Sequence, residues 1–300
     1  MKIVKFKAGL GNQMFQYGFL RYLQEIYHIN PIKIDITYYD NEKYRKYWNS
    51  GIIQFDLSVN EAAIDEVKKY KPLAWNRIPG TTVYRILTKL EYTINHRCYF
   101  EKNRAYVDIA KYLSCEYFDG YWQSWKYLEP IRPALLKEFQ PRRPLSEKTR
   151  HFMNQICNKN SVFVGARRGD YLNNKYAQNH YGACSLEYYA AAIQYMCSKV
   201  SDPVFVFFSN DIEWVQKNLN ADTLNIQPGQ IIYRMNQDVC SDFEELFVMS
   251  ACKNAVISNS TFNFWGAWLI QDDEKIVIAP KQWFKDGSPI DIIPNSWIKM

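Results

Sequence analysis

The sequence lacks the residue patterns on which most metal sites and ordinary nucleotide-hydrolysing sites are built. Its seven cysteines form no Cys-x-x-Cys pair and its four histidines are scattered, which argues against a zinc site. It contains no Asp-x-Asp, so a carboxylate site for a divalent cation is not indicated. It also has no Walker P-loop, which argues against an ordinary kinase or ATPase. We therefore expect an activity that uses neither a metal nor an organic cofactor.

Long apolar runs are absent as well. No stretch approaches the length that crosses a bilayer, and Met1–Lys7 leads into a strand instead of a signal peptide. The odd number of cysteines and the lack of a pairing pattern favour a reduced, cytoplasmic protein. With 300 residues and 47% hydrophobic content, the chain can bury two modest cores.

Positive charge is concentrated in the first half of the chain. The formal net charge is +6, but residues 1–150 carry 25 Lys+Arg against 16 Asp+Glu, and residues 151–300 carry 12 against 15. A basic half fits a solvated exterior, an anionic membrane surface or a nucleic acid. The basic residues are scattered and match no nucleic-acid-binding module, which makes nucleic acid the weakest of the three. Peripheral contact with the inner face of the cytoplasmic membrane therefore stays open.

The chain opens as a strand, a glycine-containing turn and a helix. The strand is predicted at Lys2–Phe6, the turn holds Gly9 and Gly11, and apolar residues recur at helical spacing over Met14–Tyr27. Two glycines in four residues let the backbone approach a ligand closely. The third glycine of the dinucleotide fingerprint is missing, which disfavours NAD.

The remainder of the first half is less regular and ends in a proline-marked segment. A second strand, a Tyr- and Lys-rich excursion and two mostly helical regions are predicted at Ile32–Ile36, 38–50, Asn60–Tyr70 and Thr82–Tyr92. Prolines recur over Pro130–Pro144, which is typical of a boundary between domains. We therefore predict one domain at 1–144 and a second domain at 145–300.

The segment Glu116–Gln123 alternates aromatic and polar residues, as a strand entering a loop does. Aromatic rings beside Asp119 and Gln123 suit a sugar-binding wall, to which Trp122 would contribute. The same pattern also fits an aromatic strand of the core, and the sequence does not decide between the two.

The second half alternates short apolar strands with helices. The strands are predicted at Val162–Val164, Val204–Phe208, Asn254–Ser258 and Lys275–Ala279, and the helices at Ser185–Ser198, Ile212–Asn218, Ser241–Cys252 and Phe262–Ile270. This alternation indicates a parallel sheet that is covered on both faces.

Two adjacent arginines follow the first of these strands. Arg167 and Arg168 lie where ligands bind in open α/β sheets, and guanidinium groups bind phosphate bidentately. Gly169 allows a sharp turn, and Asp170 can hold one of the arginines. The alternative is a surface turn with a local Arg–Asp ion pair.

Two further strand-to-helix turns carry polar residues. Ser258–Thr261 places hydroxyls and free backbone N–H groups at the positive end of a helix dipole, which suits phosphate, although such a turn is commonly just a helix cap. Asp211 follows the strand at Val204–Phe208 and is predicted to cap a helix or to accept a hydrogen bond from a base or ribose.

Several of these stretches together resemble the bacterial α-1,2-fucosyltransferases of glycosyltransferase family 11. The matching motifs are Gly9-Leu-Gly-Asn-Gln-Met-Phe-Gln-Tyr17, Arg167-Arg-Gly-Asp-Tyr171, Phe208-Ser-Asn-Asp211, Asp242-Phe-Glu-Glu-Leu246 and Ser258-Asn-Ser-Thr-Phe-Asn-Phe-Trp-Gly-Ala-Trp268. They follow the family's order, cover nearly the whole chain and are weakest over 38–115. The resemblance implies a GT-B fold, in which two Rossmann-like domains with parallel sheets face each other across a cleft and the second mainly holds GDP-fucose.

The resemblance also assigns the donor site. It implies that Arg167 is the donor arginine, with Arg168 beside it. The phosphate-binding turn falls on Ser260 and Thr261, with Ser258 and Phe262 on the same segment.

By the same resemblance, Gly11 and Asn12 lie near the reacting end of the donor, and Asp211 faces the guanosine. The expected catalytic residues are Arg167, Asn12 and Asp170. The expected acceptor-binding residues, from the aromatic segment, are Asp119, Trp122 and Gln123.

One position departs from the family pattern. Many relatives have His two residues before the first arginine, where this chain has Gly165. The base that activates the acceptor hydroxyl is therefore not assigned, with Asp170, Asp119 and Glu187 as substitutes.

The resemblance implies inverting, metal-independent transfer of L-fucose from GDP-fucose to the 2-hydroxyl of a terminal galactose. The acceptor would be a surface glycan of the O-antigen or capsule type, lipid-linked at the membrane. One alternative is a fucosyltransferase of another linkage or acceptor class. The other is a non-catalytic nucleotide-sugar or glycan-binding protein that has lost its base, which the glycine at position 165 allows. Binding to nucleic acid is a distant third.

Overall fold

The chain folds as two α/β units. The computed structural model describes residues 1–45, 49–70, 81–94, 97–102, 104–168, 182–235, 238, 241–285, 287 and 291–300. The units divide between Arg142 and Arg143, against a predicted boundary after residue 144.

A short segment near the end of the chain belongs to the first unit, which the sequence did not indicate. Asp291 and Ile292 cluster with that unit. The backbone oxygen of Asp291 accepts a hydrogen bond from the N–H of Trp125 at 2.9 Å, and its carboxylate accepts one from the N–H of Tyr106 at 2.9 Å. The residues from Ile293 onward return to the second unit.

The first unit contains a five-stranded parallel sheet. Its strands are β1 (Lys2–Lys5), β2 (Ile32–Asp35), β3 (Asn60–Glu61), β4 (Cys98–Phe100) and β5 (Tyr117–Asp119). They lie in the order β3-β2-β1-β5-β4. The direction of winding reverses between β1 and β5, so the loops after these two strands diverge at the same edge of the sheet, where open sheets bind ligands.

The helices of the first unit are short except for two. They span Leu10–Tyr27, Glu42–Arg45, Ile64–Lys68, Thr82–Ile94, Trp125–Leu128 and Arg132–Glu138, with 3₁₀ turns at Thr37–Asp40, Gly51–Gln54, Ile109–Tyr112 and Glu129–Ile131. The first helix begins at Leu10, four residues earlier than the apolar periodicity predicts. Gly11 and Asn12 therefore lie in its first turn and not in a loop before it.

The second unit contains a six-stranded parallel sheet. Its strands are β6 (Asn160–Ala166), β7 (Pro203–Ser209), β8 (Ile231–Tyr233), β9 (Asn254–Val256), β10 (Val277–Ala279) and β11 (Ile298–Lys299). They lie in the order β11-β10-β9-β6-β7-β8. Counted from β6, this is the 3-2-1-4-5-6 order of the doubly wound dinucleotide-binding fold, with its switch point between β6 and β9.

Helices cover this second sheet, and polar side chains cap several of them. They span Glu147–Cys157, Leu186–Lys199, Ile212–Asn218, Ala221–Leu224, Asp242–Ser250 and Thr261–Trp268. The cap predicted at Asp211 is confirmed, and Ser185 and Ser241 cap their helices in the same way, because each of these side chains accepts a hydrogen bond from a backbone N–H in the first turn. No helix in the described part of the chain is long and apolar enough to cross a membrane.

Two Rossmann-like units with parallel sheets confirm the expected GT-B type. The strands that the sequence did not predict are β3, β4, β8 and β11, which have two or three residues each. So few residues show no period-two alternation, and sequence alone does not distinguish them from loops.

Candidate functional site

The carboxyl ends of β6 and β9 meet at the switch point of the second sheet. Val164 of β6 pairs with Val256 of β9, so Arg167 and Ser258 both follow shortly after neighbouring strand positions. The helix that starts after Ser260 also touches the end of β6, since a Cβ at Gly165 would lie 2.1 Å from Nδ2 of Asn263. The structure thus places the arginine pair and the Ser/Thr turn after neighbouring strands, and phosphate binding by the two stays a prediction.

The two arginines have different surroundings. The N–H of Arg168 donates to Oδ1 of Asn210 at 3.0 Å, and its guanidinium carbon lies 4.0 Å from the centre of the Trp214 ring. Its Nε is 3.8 Å from Oδ2 of Asp211. Arg168 is therefore held against the helix Ile212–Asn218, while Arg167, half-buried, lies directly after the strand.

Asp211 is occupied locally. Its Oδ1 accepts from the N–H of Trp214 at 3.3 Å, which caps the helix, and its other oxygen faces Arg168. With 32% of its side chain exposed, it keeps an accessible edge, and contact with the guanosine stays a prediction.

The turn after β9 is built by buried amides. Asn259 donates to the backbone oxygens of Gly182 and Trp283, both at 3.0 Å. The N–H of Ser260 donates to the oxygen of Ser258 at 2.8 Å, and Ser260 is the N-cap of Thr261–Trp268, although its side chain makes no capping bond. Such a turn leaves first-turn N–H groups directed outward, the arrangement that binds phosphate.

Ser258 does not have the role that the sequence predicts. It is completely buried, and its hydroxyl accepts a hydrogen bond from Nδ2 of Asn263 at 2.8 Å. In this structure it supports the turn from inside, and contact of Ser260, Thr261 and Phe262 with the donor stays a prediction. Thr261 and Phe262 are partly exposed.

Gly165 is required by packing. Asn263 is 6% exposed and lies where a side chain at position 165 would point, with its Cγ 2.5 Å from the Cβ that any other residue would carry. Sequence reasoning noticed the glycine but missed Asn263, whose helical spacing and small size give no signal of this contact.

Both glutamates of the Asp242-Phe-Glu-Glu-Leu246 motif serve the interior of the second unit. Glu244 accepts hydrogen bonds from the N–H and hydroxyl of Ser146, at 2.9 and 2.6 Å, at the start of the helix Glu147–Cys157. Glu245 pairs with Arg234 at 2.9 Å, with 8% and 2% of the two side chains exposed. The guanidinium of Arg234 also lies 4.3 Å from the ring centre of Phe152.

At the switch point of the first sheet, the loops after β1 and β5 are joined. Nε2 of Gln123 donates to Oδ1 of Asn12 at 2.6 Å, which connects a predicted catalytic residue to a predicted acceptor residue. The backbone turns at Ala8, which has φ 63°, and not at the glycines.

Gln13 holds this turn in place, a role that the sequence did not reveal. Its buried amide donates to the oxygens of Ala8 and Asn49, at 2.9 and 2.8 Å, and accepts from the N–H of Ile52 at 2.9 Å.

The aromatic segment belongs mostly to the core, so the prediction that Trp122 forms a sugar-binding wall is wrong. Trp122 is completely buried and stacks on Phe19, with ring centres 3.7 Å apart and an angle of 4°. Burial of both rings stabilises the unit, and neither face is available to a sugar. Tyr121, by contrast, is partly exposed, and Nζ of Lys7 lies 4.5 Å from the centre of its ring.

Asp119 lies between two cations. Lys5 and Lys7 approach its carboxylate at 3.2 and 2.5 Å. Burial alone would oppose ionisation, but the two lysines hold the pKa of Asp119 well below its usual range. A carboxylate held ionised in this way is a poor general base, although it can accept a hydrogen bond.

Two other residues, Glu187 and Asp170, are candidates for the base that activates the acceptor hydroxyl. Glu187 lies exposed in the first turn of Leu186–Lys199, where hydrogen bonding to Ser185 lowers its pKa. Asp170 falls in 169–181, outside the described residues. Among the described residues, no group of three or more His, Cys, Asp and Glu side chains could hold a metal ion.

Sequence comparisons give the family context for this geometry. The model of glycosyl transferase family 11 matches residues 80–299. The chain is 28% identical to the O-antigen biosynthesis glycosyltransferase WbnK of Escherichia coli, over 98% of each chain. It is also 28% identical to an alpha-1,2-colitosyltransferase of Escherichia coli, over 99% of this chain and 98% of that protein. The galactoside alpha-(1,2)-fucosyltransferase 2 of Rattus norvegicus is 28% identical over 52% of this chain and 44% of the rat protein.

A solved structure supports the fold. The fucosyltransferase NodZ from Bradyrhizobium superposes with a TM-score of 0.50 and 11% identity, covering 88% of this chain and 91% of NodZ. At that identity the likeness is one of fold.

Proposed function

The chain belongs to glycosyl transferase family 11, and from that premise we propose that it transfers L-fucose from GDP-fucose to the 2-hydroxyl of a terminal galactose. The acceptor in this proposal is a surface glycan of the O-antigen or capsule type. The observation that carries the proposal is that Arg167 and the turn Ser260–Thr261 follow neighbouring parallel strands, at the switch point between β6 and β9. A cation and a helix N-terminus at one strand edge suit a diphosphate.

The proposed reaction is a single displacement that inverts the configuration at C1 of the sugar. The acceptor oxygen attacks C1 from the face opposite GDP, through a transition state with oxocarbenium character. Negative charge develops on the β-phosphate as the C1–O bond breaks. Arg167 and the first-turn N–H groups stabilise that charge from fixed positions, so the proposed mechanism does not require a metal.

The proposed donor has one specific rival. The relative named as an alpha-1,2-colitosyltransferase matches this chain over nearly its whole length. Colitose is fucose without its 3-hydroxyl, so both donors present the same diphosphate to the second unit. The residues that would sense the 3-hydroxyl decide between them.

The experiment that tests the proposed function measures nucleotide release in buffer containing EDTA. GDP-fucose and GDP-colitose are supplied separately, with lactose or N-acetyllactosamine as acceptor, and the product linkage is determined. Acceptor-dependent GDP release from GDP-fucose with an α-1,2 product supports the proposal. Release from GDP-colitose alone assigns the rival donor, and donor binding without release from either indicates a non-catalytic protein.

We also propose that the protein contacts an anionic membrane surface through the helix Thr82–Ile94. Val83, Ile86 and Leu90 recur along one face and are 51%, 53% and 42% exposed. Arg85 is exposed on the same helix, and the first half of the chain carries the excess of positive charge. An exposed apolar face in a basic unit fits the interface of a bilayer with anionic lipid, where a lipid-linked acceptor would lie.

A further inference from the structure

Three carboxylates lie where strands of the first sheet end. Asp35 ends β2, Asp119 ends β5, and Glu101 follows β4 directly. All three are at the carboxyl edge of the sheet, the edge that carries Asn12 and Gln123. An inverting transfer needs a base that removes the proton of the attacking hydroxyl, so this edge is where the first unit can supply one.

Asp35 has a structural role, because both of its carboxylate oxygens accept hydrogen bonds from within the unit. It is completely buried, and it accepts from the hydroxyl of Tyr117 at 2.6 Å and from the N–H of Thr37 at 2.8 Å. Asp119 is neutralised by its two lysines. Neither carboxylate is both reachable and ready to take a proton.

Glu101 is held differently. Its Oε2 accepts from the N–H of Tyr121 at 2.6 Å, and its Oε1 accepts from the N–H of Trp122 at 3.1 Å. The residue as a whole is partly exposed. Two backbone donors orient the carboxylate and leave each oxygen a further lone pair. The loop that anchors it continues into Gln123, which bonds to Asn12.

Gly120 makes this anchoring possible. A Cβ at position 120 would lie 2.7 Å from Cβ of Glu101 and 2.7 Å from the ring of Trp122. The loop after β5 therefore packs directly on the residue after β4, which fixes Glu101 relative to the switch point.

The surroundings of Glu101 suit proton transfer near neutral pH. Burial raises the pKa of Glu101 to about 7, against the opposing effects of the two N–H donors and of Lys7. The charged and titratable groups that face it are Lys7 from the loop after β1, Asp119 from β5 and Tyr127 from the helix Trp125–Leu128. A base is most effective when its pKa is close to the working pH.

We propose that Glu101 is the general base of the transfer reaction, an inference that rests on the proposed function. As the acceptor oxygen forms its bond to C1 of the sugar, its proton passes to Oε of Glu101. The bond from C1 to the phosphate oxygen breaks, and the nucleoside diphosphate leaves with the electron pair. Glu101 returns the proton to solvent before the next turnover.

The test compares pH profiles of the wild type and Glu101→Gln. Wild-type transfer is established first, and its absence with both donors would speak against the proposed function instead of the base. With wild-type transfer in hand, kcat/KM of the wild type should fall on the acid side of about pH 7. Glu101→Gln should lose on the order of 10²–10⁴ in kcat and lose that acid limb, with an unchanged affinity for GDP.

Two further variants keep the test decisive. Glu116→Gln, which removes an exposed carboxylate paired with Arg97 at 2.6 Å, is the matched control and should keep both rate and profile. Glu101→Asp should retain partial activity with a displaced acid limb, so a misfolded glutamine variant does not obscure the answer. If Glu101→Gln folds and keeps the acid limb with more than roughly a tenth of the rate, Glu101 is not the base.

Discussion

At the scale of single residues, the two adjacent arginines differ in what surrounds them. Arg168 is stacked on Trp214 and faces Asp211, whereas Arg167 lies at the strand end beside the Ser/Thr turn. The planar guanidinium of Arg167 is the group that we expect to meet the charge developing on the leaving diphosphate.

Arg167→Ala should therefore reduce kcat by on the order of 10²–10³ while the fold is retained. Initial rates and thermal unfolding measure the two quantities. Arg143→Ala, which removes an exposed arginine of the same unit, is the control and should transfer normally. Near-normal turnover of Arg167→Ala would remove Arg167 from the mechanism.

Gly165 packs against Asn263, a contact that the sequence motifs do not predict. Gly165→Ala places a methyl group 2.1 Å from Nδ2 of Asn263, so the buried amide must shift from Ser258. We expect a loss of about 1–3 kcal/mol in the free energy of unfolding, measured in urea. Gly229→Ala is the control, because nothing lies within 4 Å of its Cβ.

The double variant Gly165→Ala/Asn263→Ala tests the cause. Removing the amide relieves the collision, so the combined loss should be smaller than the sum of the two single losses. Additive losses would mean that the methyl group is destabilising for another reason.

At the scale of elements, a buried ion pair joins the end of β8 to the helix Asp242–Ser250. Glu245→Ala leaves the guanidinium of Arg234 buried without its carboxylate, which should lower the free energy of unfolding by about 3–5 kcal/mol. Lys148→Ala removes an exposed ion pair with Asp238, whose two charged atoms lie 3.9 Å apart. It should change the free energy of unfolding by less than about 1 kcal/mol. Equal effects of the two variants in chemical denaturation would show that Arg234 is resolvated when its partner is removed.

The exposed face of the helix Thr82–Ile94 carries the membrane proposal. Replacing Val83, Ile86 and Leu90 by Ser should reduce co-sedimentation with vesicles that contain anionic lipid and leave soluble transfer unchanged. The matched control replaces three exposed apolar residues elsewhere, Ile26, Ile53 and Leu186. The proposal would be refuted if binding did not depend on anionic lipid, or if the variant with Ser at positions 83, 86 and 90 bound vesicles as well as the wild type does.

At the scale of the whole molecule, the predicted donor residues Arg167, Ser260 and Thr261 all belong to the second unit. GDP should therefore stabilise that unit, by about 2.7 kcal/mol at a concentration one hundred times its Kd. Hydrogen exchange in EDTA should show protection at the ends of β6 and β9, and Arg167→Ala should weaken it. Protection confined to the ends of β1 and β5 would mean that the nucleotide binds to the first unit, which would contradict the predicted donor site.

Sequence reasoning predicted most of the second unit because two of its strands are long and apolar. β6 and β7 have seven residues each, and their buried runs leave no competing helical pattern. The helix Ile212–Asn218 was predicted to the residue because Asp211 marks its start. The first unit was harder, since β3 and β4 have two and three residues and show no alternation that would distinguish them from loops.

What the sequence determined by itself is the set of chemical groups and their order along the chain. Guanidinium groups after one strand and hydroxyls after another indicate a phosphate site in a doubly wound sheet, because strand ends in such a sheet share an edge. The family resemblance follows from the same motifs, and so does the expectation of two Rossmann-like domains.

Only the tertiary structure decided which of those groups face outward and which face each other. Alternating residues look alike whether they line a core or a ligand, so only packing against Phe19 shows Trp122 to be interior. Likewise, Asp119 and Glu101 are both carboxylates at strand ends, yet two lysines hold the first ionised and burial raises the pKa of the second to about 7. Ionisation depends on neighbours that are distant in sequence, and those neighbours exist only once the chain has folded.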